Sequence, residues 1–320
     1  MSARNHLLAL GATLAAFAIV ALFLKRSEVY LLTLWAVYLM ATMGLNLTVG
    51  YAGQMSLGHA AFFGIGAYLA AILLKLSLPF LVVLPVAAVV CFALGLALGF
   101  PALRVQHHYL AFATLGFNVL VYLAFRNEEA ITGGTFGISG IPRPTILGVD
   151  FGGHVAYWYW TLGSLVALGA VLWWLLRSPW GRAFAALRDN PIRAESLGVN
   201  ITAYTLLAFA IGAACAGVAG VYYASLVEFI EPGPFHFSTS LMMLLAVIVG
   251  GSGRFYGPAL GTAIVVLLPE FMRGSSIPWL KFMQVWYLAF FGAAVVALMI
   301  WLPGGLLSIR ERLDRKGGPQ

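Results

Sequence analysis

Over residues 30–49, 80–99, 157–176 and 202–225 the chain runs for 20 or more residues at a time without one charged side chain. About 20 predominantly apolar residues are what a helix needs to cross a bilayer, where each backbone N–H and C=O must find its partner inside the segment. A transmembrane β-barrel would alternate apolar with polar residues, and these runs are continuous. Further apolar runs bring the expected spans to ten, at 7–24, 30–49, 59–74, 80–99, 109–125, 157–176, 202–225, 239–250, 257–271 and 281–301. Those near 59, 109, 239 and 257 are short, which points to broken or tilted helices. The sixth carries YWYW at 157–160 and a Trp pair at 173–174, about 26 Å apart at the helical rise, as two interfacial aromatic belts would be. Only 9% of the 320 residues are charged and 62% are hydrophobic, whereas about a quarter of a soluble domain is charged. The expected fold is all-α and polytopic, a single transmembrane domain over 1–320 in contact with lipid.

A net charge of +7 raises nucleic acid as a partner, but basic loops on the cytoplasmic face explain it better. With both termini in the cytoplasm, 11 of the 18 Lys and Arg fall inside and seven outside. Lys25 and Arg26 break that bias. The run at 7–24 is long for a signal peptide and lacks a small-residue cleavage site, so it is read as a retained span. Cys91 and Cys215 both fall inside apolar runs and have no metal-ligand spacing; buried, inert thiols are expected.

Residues 177–200, RSPWGRAFAALRDNPIRAESLGVN, hold six charges between two apolar spans. Arg182 to Asp189 can form a short helix, Asn190 can cap a second, Pro191 suits its first position, and Gly198 stops it. A connector needs only a few residues. A capped pair of helices in the cytoplasm therefore suggests docking to a partner, against the plainer alternative of a solvated loop. Phe184, Leu187 and Ile192 would supply apolar bumps, and Arg188, Arg193 and Glu195 charge. On the other face, 126–156 forms a long loop whose TGGTFGISGIPRP reads as compact turns.

At membrane depth, polar residues cluster at Asn46, Gln54, Ser56 and His59, among glycines at 50, 53 and 58 that let the backbone leave the helix. Irregular backbone is tolerated at depth where it is buried in protein or lines a wet cavity. Asn46, Gly53, Gln54, Ser56 and His59 thus line a translocation path, with a half-helix starting near Ser56 aiming its N-terminal dipole into it; the alternative is that Gln54 and His59 simply satisfy backbone groups at the cytoplasmic interface. His59 has no second metal ligand at useful spacing, and His107 and His108 point apart on a helix. Gly253, Gly257 and Gly261 recur every four residues, as do Gly212, Ala216 and Gly220, a pattern for close helix packing or, less simply, a gate. VGYAGQ at 49–54 and VGGSGR at 249–254 echo each other, by repetition or by chance. There is no GxxxxGK[ST] loop, no HExxH, no GxSxG and no carboxylate well inside a span. The chain thus supplies no ATP site or enzyme centre, and lacks the buried acids of a proton-coupled carrier.

FAALRDNPIRAESLGVN resembles the cytoplasmic coupling loop of LivM-type permeases, membrane subunits of branched-chain amino-acid ABC importers. Arg188, Asp189, Asn190, Ala194, Glu195 and Gly198 match the family's pattern there, while Pro191 and Arg193 depart from it. GLNLTVGYAGQMSLGHAAFFGIGAY at 44–68, TGGTFGISGI at 132–141 and GGSGRFYGPALG at 250–261 resemble three further family blocks in the same order. The resemblance implies a type II importer-like fold in a bacterial inner membrane, a paired LivH-type permease, two ATPases that use the ATP, and an extracytoplasmic solute-binding protein. No cofactor is expected on this chain. Branched-chain amino acids are the implied substrate, with urea or short amides as the alternative. A stand-alone carrier or channel would not need a docking hairpin.

Overall fold

The structure, a computed structural model, describes residues 24–102, 107–146, 149–269, 292, 305 and 306. The expected spans at 7–24 and 281–301 lie outside the described residues. So do residues 270 and 271 of the run at 257–271, although each of the other eight overlaps a helix. These are α1 (Arg26–Asn46), α2 (His59–Lys75), α3 (Phe80–Ala102), α4 (His107–Asn127), α6 (His154–Arg177), α9 (Ile201–Val227), α10 (Phe237–Gly250) and α11 (Gly257–Thr262). A short α5 (Glu129–Thr132) and the hairpin helices α7 (Pro179–Asp189) and α8 (Pro191–Ser196) complete the set. Both α1 and α11 run on into π-helical turns, Leu47–Tyr51 and Ala263–Leu267. Among the described residues five helices are long and apolar enough to cross a membrane, while α2, α10 and the stretch Gly257–Leu267 are shorter.

Burial within the protein does not follow apolarity, because lipid covers an apolar face as well as protein does. Phe80–Phe100, of mean hydropathy 2.8, is among the least buried and Arg26–Tyr51, of 1.5, is the most. In the Arg26–Tyr51 span 72% of the most apolar window is buried, and in α9 50%, against 22% over Phe80–Phe100 and over Leu110–Asn127. The pair α1 and α9 forms the centre; α9 packs against α1, α2 and α3 together. Small residues allow this approach. A methyl on Gly66 would overlap the Gly217 carbonyl, and one on Gly44 would lie 2.8 Å from the Gly212 carbonyl oxygen. Around these contacts sits an aromatic core in which Phe63 meets Tyr38, Tyr223 and Phe235 at ring distances of 5.1–5.7 Å. Cys91 and Cys215 are free and buried.

The two ends of the bundle differ. At one, the 126–156 loop folds into turns: α5, a 3₁₀ turn at Gly134–Phe136, and short strands β1 (Ile138–Ser139), β2 (Thr145–Ile146) and β3 (Val149–Asp150). Strand β1 pairs antiparallel with β4 (Phe229–Ile230), just beyond α9, with Ile138 opposite Ile230. Arg143 Nε lies 2.6 Å from Glu228 Oε1, and Arg143 Nη1 donates to the Gly152 carbonyl. The loop is thus tied to the end of α9. At the opposite end lie the 52–58 segment, the α7–α8 hairpin and the 251–256 turn.

Candidate functional site

Helix α2 begins far inside the bundle. His59 Nε2 sits 2.9 Å from the Ala41 carbonyl, ten residues before the end of the first span at Tyr51, or about 15 Å along a helix axis. The carbonyl only accepts, so Nε2 carries the proton and has no lone pair left for a metal. After the π-helical turn the backbone doubles back through 52–58 and starts α2 near mid-depth.

A helix start in an apolar interior exposes N–H groups that must be paired. Two other helices supply the partners. Leu57 N donates to Thr114 Oγ1 on α4 at 2.9 Å, and Ala60 N to Ser240 Oγ on α10 at 2.8 Å. The Ser240 hydroxyl donates onward to Asn118 Oδ1 at 3.0 Å, and Asn118 Nδ2 to the Phe235 carbonyl at 3.1 Å. Ser56, His59, Thr114, Asn118 and Ser240 are all buried. Thr114, Asn118 and Ser240 were not singled out from sequence; Thr114 and Asn118 are lone polar residues within an apolar run, and Ser240 follows Ser238 and Thr239 at the start of one.

The expected path residues therefore separate. Ser56 and His59 belong to this mid-depth knot. Gln54 is half-buried and reaches back to the Ala52 carbonyl at 3.4 Å, while Gly53 is exposed with φ +70°. Asn46 uses both ends of its amide on the 251–256 turn, accepting from Gly253 N at 2.9 Å and donating to the Arg254 carbonyl at 3.0 Å. Gly257 and Gly261 lie where α11 presses on α10, a methyl on Gly261 coming 2.9 Å from Gly250 N. Gly253 does not share that helix face. It sits in the turn with φ +76°, against Gly50 and Arg188. The two echoing segments, 49–54 and 249–254, thus meet in space.

The hairpin is built from caps. Ser178 Oγ accepts from Trp180 N at 3.1 Å and Pro179 takes the first helical position, so α7 starts three residues before the expected Arg182. The Ser-Pro pair was the missed signal. Asn190 Oδ1 accepts from Arg193 N at 3.0 Å to start α8, Pro191 follows, and Gly198 ends the unit with φ +86°. Asn200 then caps α9 through Ala203 N at 2.9 Å.

Of the three apolar side chains expected at its surface, only Ile192 is exposed, at 79%. Phe184, Leu187 and Ala194 are buried; Phe184 stacks edge-on against Tyr204 and packs with Leu47, Ala52, Leu172 and Leu175. The i, i+3 spacing of Phe184 and Leu187 makes a stripe that α7 turns inward. Leu197, 82% exposed, and Trp180, 47% exposed, provide outward apolar surface that the sequence reading passed over. Asp189 and Glu195 face outward as well.

The family profile described as branched-chain amino acid transport system / permease component matches residues 27–300. The high-affinity branched-chain amino acid transport system permease protein LivM of Salmonella typhimurium is 37% identical over 92% of this chain and 73% of its own. The protein of the same name from Escherichia coli K12 is 36% identical over the same shares. The autoinducer 2 import system permease protein LsrC of Escherichia coli DH10B is 28% identical over 92% of this chain and 85% of its own. No solved structure matches the chain.

Proposed function

The chain belongs to the branched-chain amino-acid transport permease family, and from that membership we propose how it works within its importer. It is the membrane-spanning permease subunit of an ABC importer for branched-chain amino acids, a transport subunit rather than an enzyme, and a multi-pass protein of the inner membrane. ATPase and binding-protein partners accompany such a permease. The observation that carries this assignment is the family match over 27–300, nearly the whole chain.

In our reading the whole chain is one permease domain and half of a pathway, completed by a LivH-type permease, driven by two ATPases and fed by one binding protein. Both termini lie in the cytoplasm with the hairpin. The chain contributes no ATP site and no cofactor. Asp189, Asn190, Glu195 and Gly198 shape the hairpin's outer surface, where Ile192 and Leu197 offer apolar contact to an ATPase. Phe184, Leu187 and Ala194 fasten it to the bundle. The pathway runs beside the start of α2, near Gly53, Gln54, Ser56 and His59, with Asn46 holding the adjoining turn. Gly257 and Gly261 set the spacing of α10 and α11, and Gly253 that of the turns.

Gentle extraction of the native complex into liposomes provides the test. Leucine, isoleucine or valine should accumulate only when binding protein and ATP are both present, and mass spectrometry should find a second permease and two ATPases. Uptake by this chain alone, without any ATPase, would remove the ATP-driven assignment.

A further inference from the structure

In the last turn of α7 Asp189 faces outward, and Arg188, though exposed, reaches back across the bundle end. Arg188 lays its stem along Gly53: a Cβ added at Gly53 would lie 3.5 Å from Arg188 Cα and 3.8 Å from its Cβ. The guanidinium crosses to Gly253, where an added side chain would collide with Nη1. Both glycines hold left-handed φ values, +70° and +76°, so each turn presents bare backbone, met by the Arg188 stem at Gly53 and by its guanidinium at Gly253. The turns also touch each other. A Cβ on Gly253 would lie 2.6 Å from the Gly50 carbonyl oxygen, and Asn46 bonds to both Gly253 and Arg254.

Electrostatics favours a cation at this junction. The first span ends at Tyr51 and α10 at Gly250; although the Thr48 and Val249 carbonyls accept from Gln54 N and Leu306 N, each helix end keeps the partial negative charge of its dipole. Among the described residues the one ion pair is Arg143–Glu228, at the other end of the bundle, so no carboxylate of these residues holds Arg188 elsewhere.

We propose that Arg188 is the positioning residue through which hairpin movement reaches the membrane interior: it clasps the 49–54 and 249–254 turns and moves them with α7. This rests on the permease reading above and names the residue through which the stroke passes. From Gly53 the chain reaches Leu57 in four residues, where Thr114 holds Leu57 N and Ser240 holds Ala60 N. A displaced Arg188 loads those two bonds, and releasing them uncaps α2 at mid-depth.

The test uses the complete importer in liposomes. Arg188→Gln is expected to lower substrate moved per ATP hydrolysed by about tenfold, and Arg188→Lys, which keeps a cation at the two helix ends, to restore most of it. A normal ratio in the Gln variant overturns the proposal. So does loss of the ATPases on purification of that variant, because the guanidinium would then belong to the partner contact. A Lys variant no better than Gln overturns the electrostatic basis. Independently of transport, Gly53→Cys with Arg188→Cys is expected to cross-link on oxidation of the nucleotide-free complex, because the 3.8 Å separation falls within the usual Cβ range for a disulfide. An assembled pair that stays reduced under oxidant refutes the contact. If wild-type importer moves substrate without ATP, the permease assignment fails, while the cross-link still reports on the clasp.

Discussion

The Ser240 hydroxyl accepts from Ala60 N and donates to Asn118, and all three groups are buried. Replacing it with Ala leaves a donor and an acceptor unpaired in an apolar interior, a loss of about 1–3 kcal/mol. Ser240→Ala should therefore unfold at a lower detergent fraction in a denaturing titration, and a curve that overlays wild type would show that the knot holds nothing. Such a residue is hard to recognise in sequence. Thr33 and Thr161 sit in equally apolar runs, yet their hydroxyls turn back to the carbonyl four residues earlier, Val29 and Tyr157. Nothing local separates a hydroxyl that serves its own helix from one that caps another. Gly253 carries the same lesson. Its spacing from Gly257 and Gly261 suggested one helical face, but a positive φ placed it in a turn, and φ is not written in the spacing.

At the scale of elements, the α7–α8 corner was legible because caps are local chemistry. Asn190 followed by Pro191, with Gly198 beyond, fixes where one helix starts and ends. Losing the Asn190 side chain costs a cap worth about 1 kcal/mol. Asn190→Ala should speed amide exchange in 191–197 while leaving α6 and α9 unchanged; equal exchange there would mean the cap is dispensable. Which face α7 buries was less legible. Phe184 and Leu187 form a stripe that suits either a partner or the chain itself, and only the neighbouring ends of α1, α6 and α9 decide the matter.

For the whole molecule, the five described helices long enough to cross a membrane follow from apolar run length, since the bilayer tests each segment's composition separately. The re-entrant start of α2 does not follow, because its depth is set by Ala41, Thr114 and Ser240, distant in sequence. Ile192 and Phe136 are exposed at opposite ends, at 79% and 84%, and the native cysteines are buried. Ile192→Cys should react with an impermeant thiol reagent only from the cytoplasm, and Phe136→Cys only from outside; labelling of both from one side would invert or break the topology. Between those ends α9 runs unbroken over 27 residues without a proline, about 40 Å. The hairpin joins it at Asn200, and Arg143 grips Glu228 where it stops. One continuous helix thus joins the hairpin at one end of the bundle to the Arg143–Glu228 ion pair at the other. Any shift of the hairpin that Arg188 carries inward would therefore also be felt along the backbone that ends beneath the opposite loop, a span of about 40 Å.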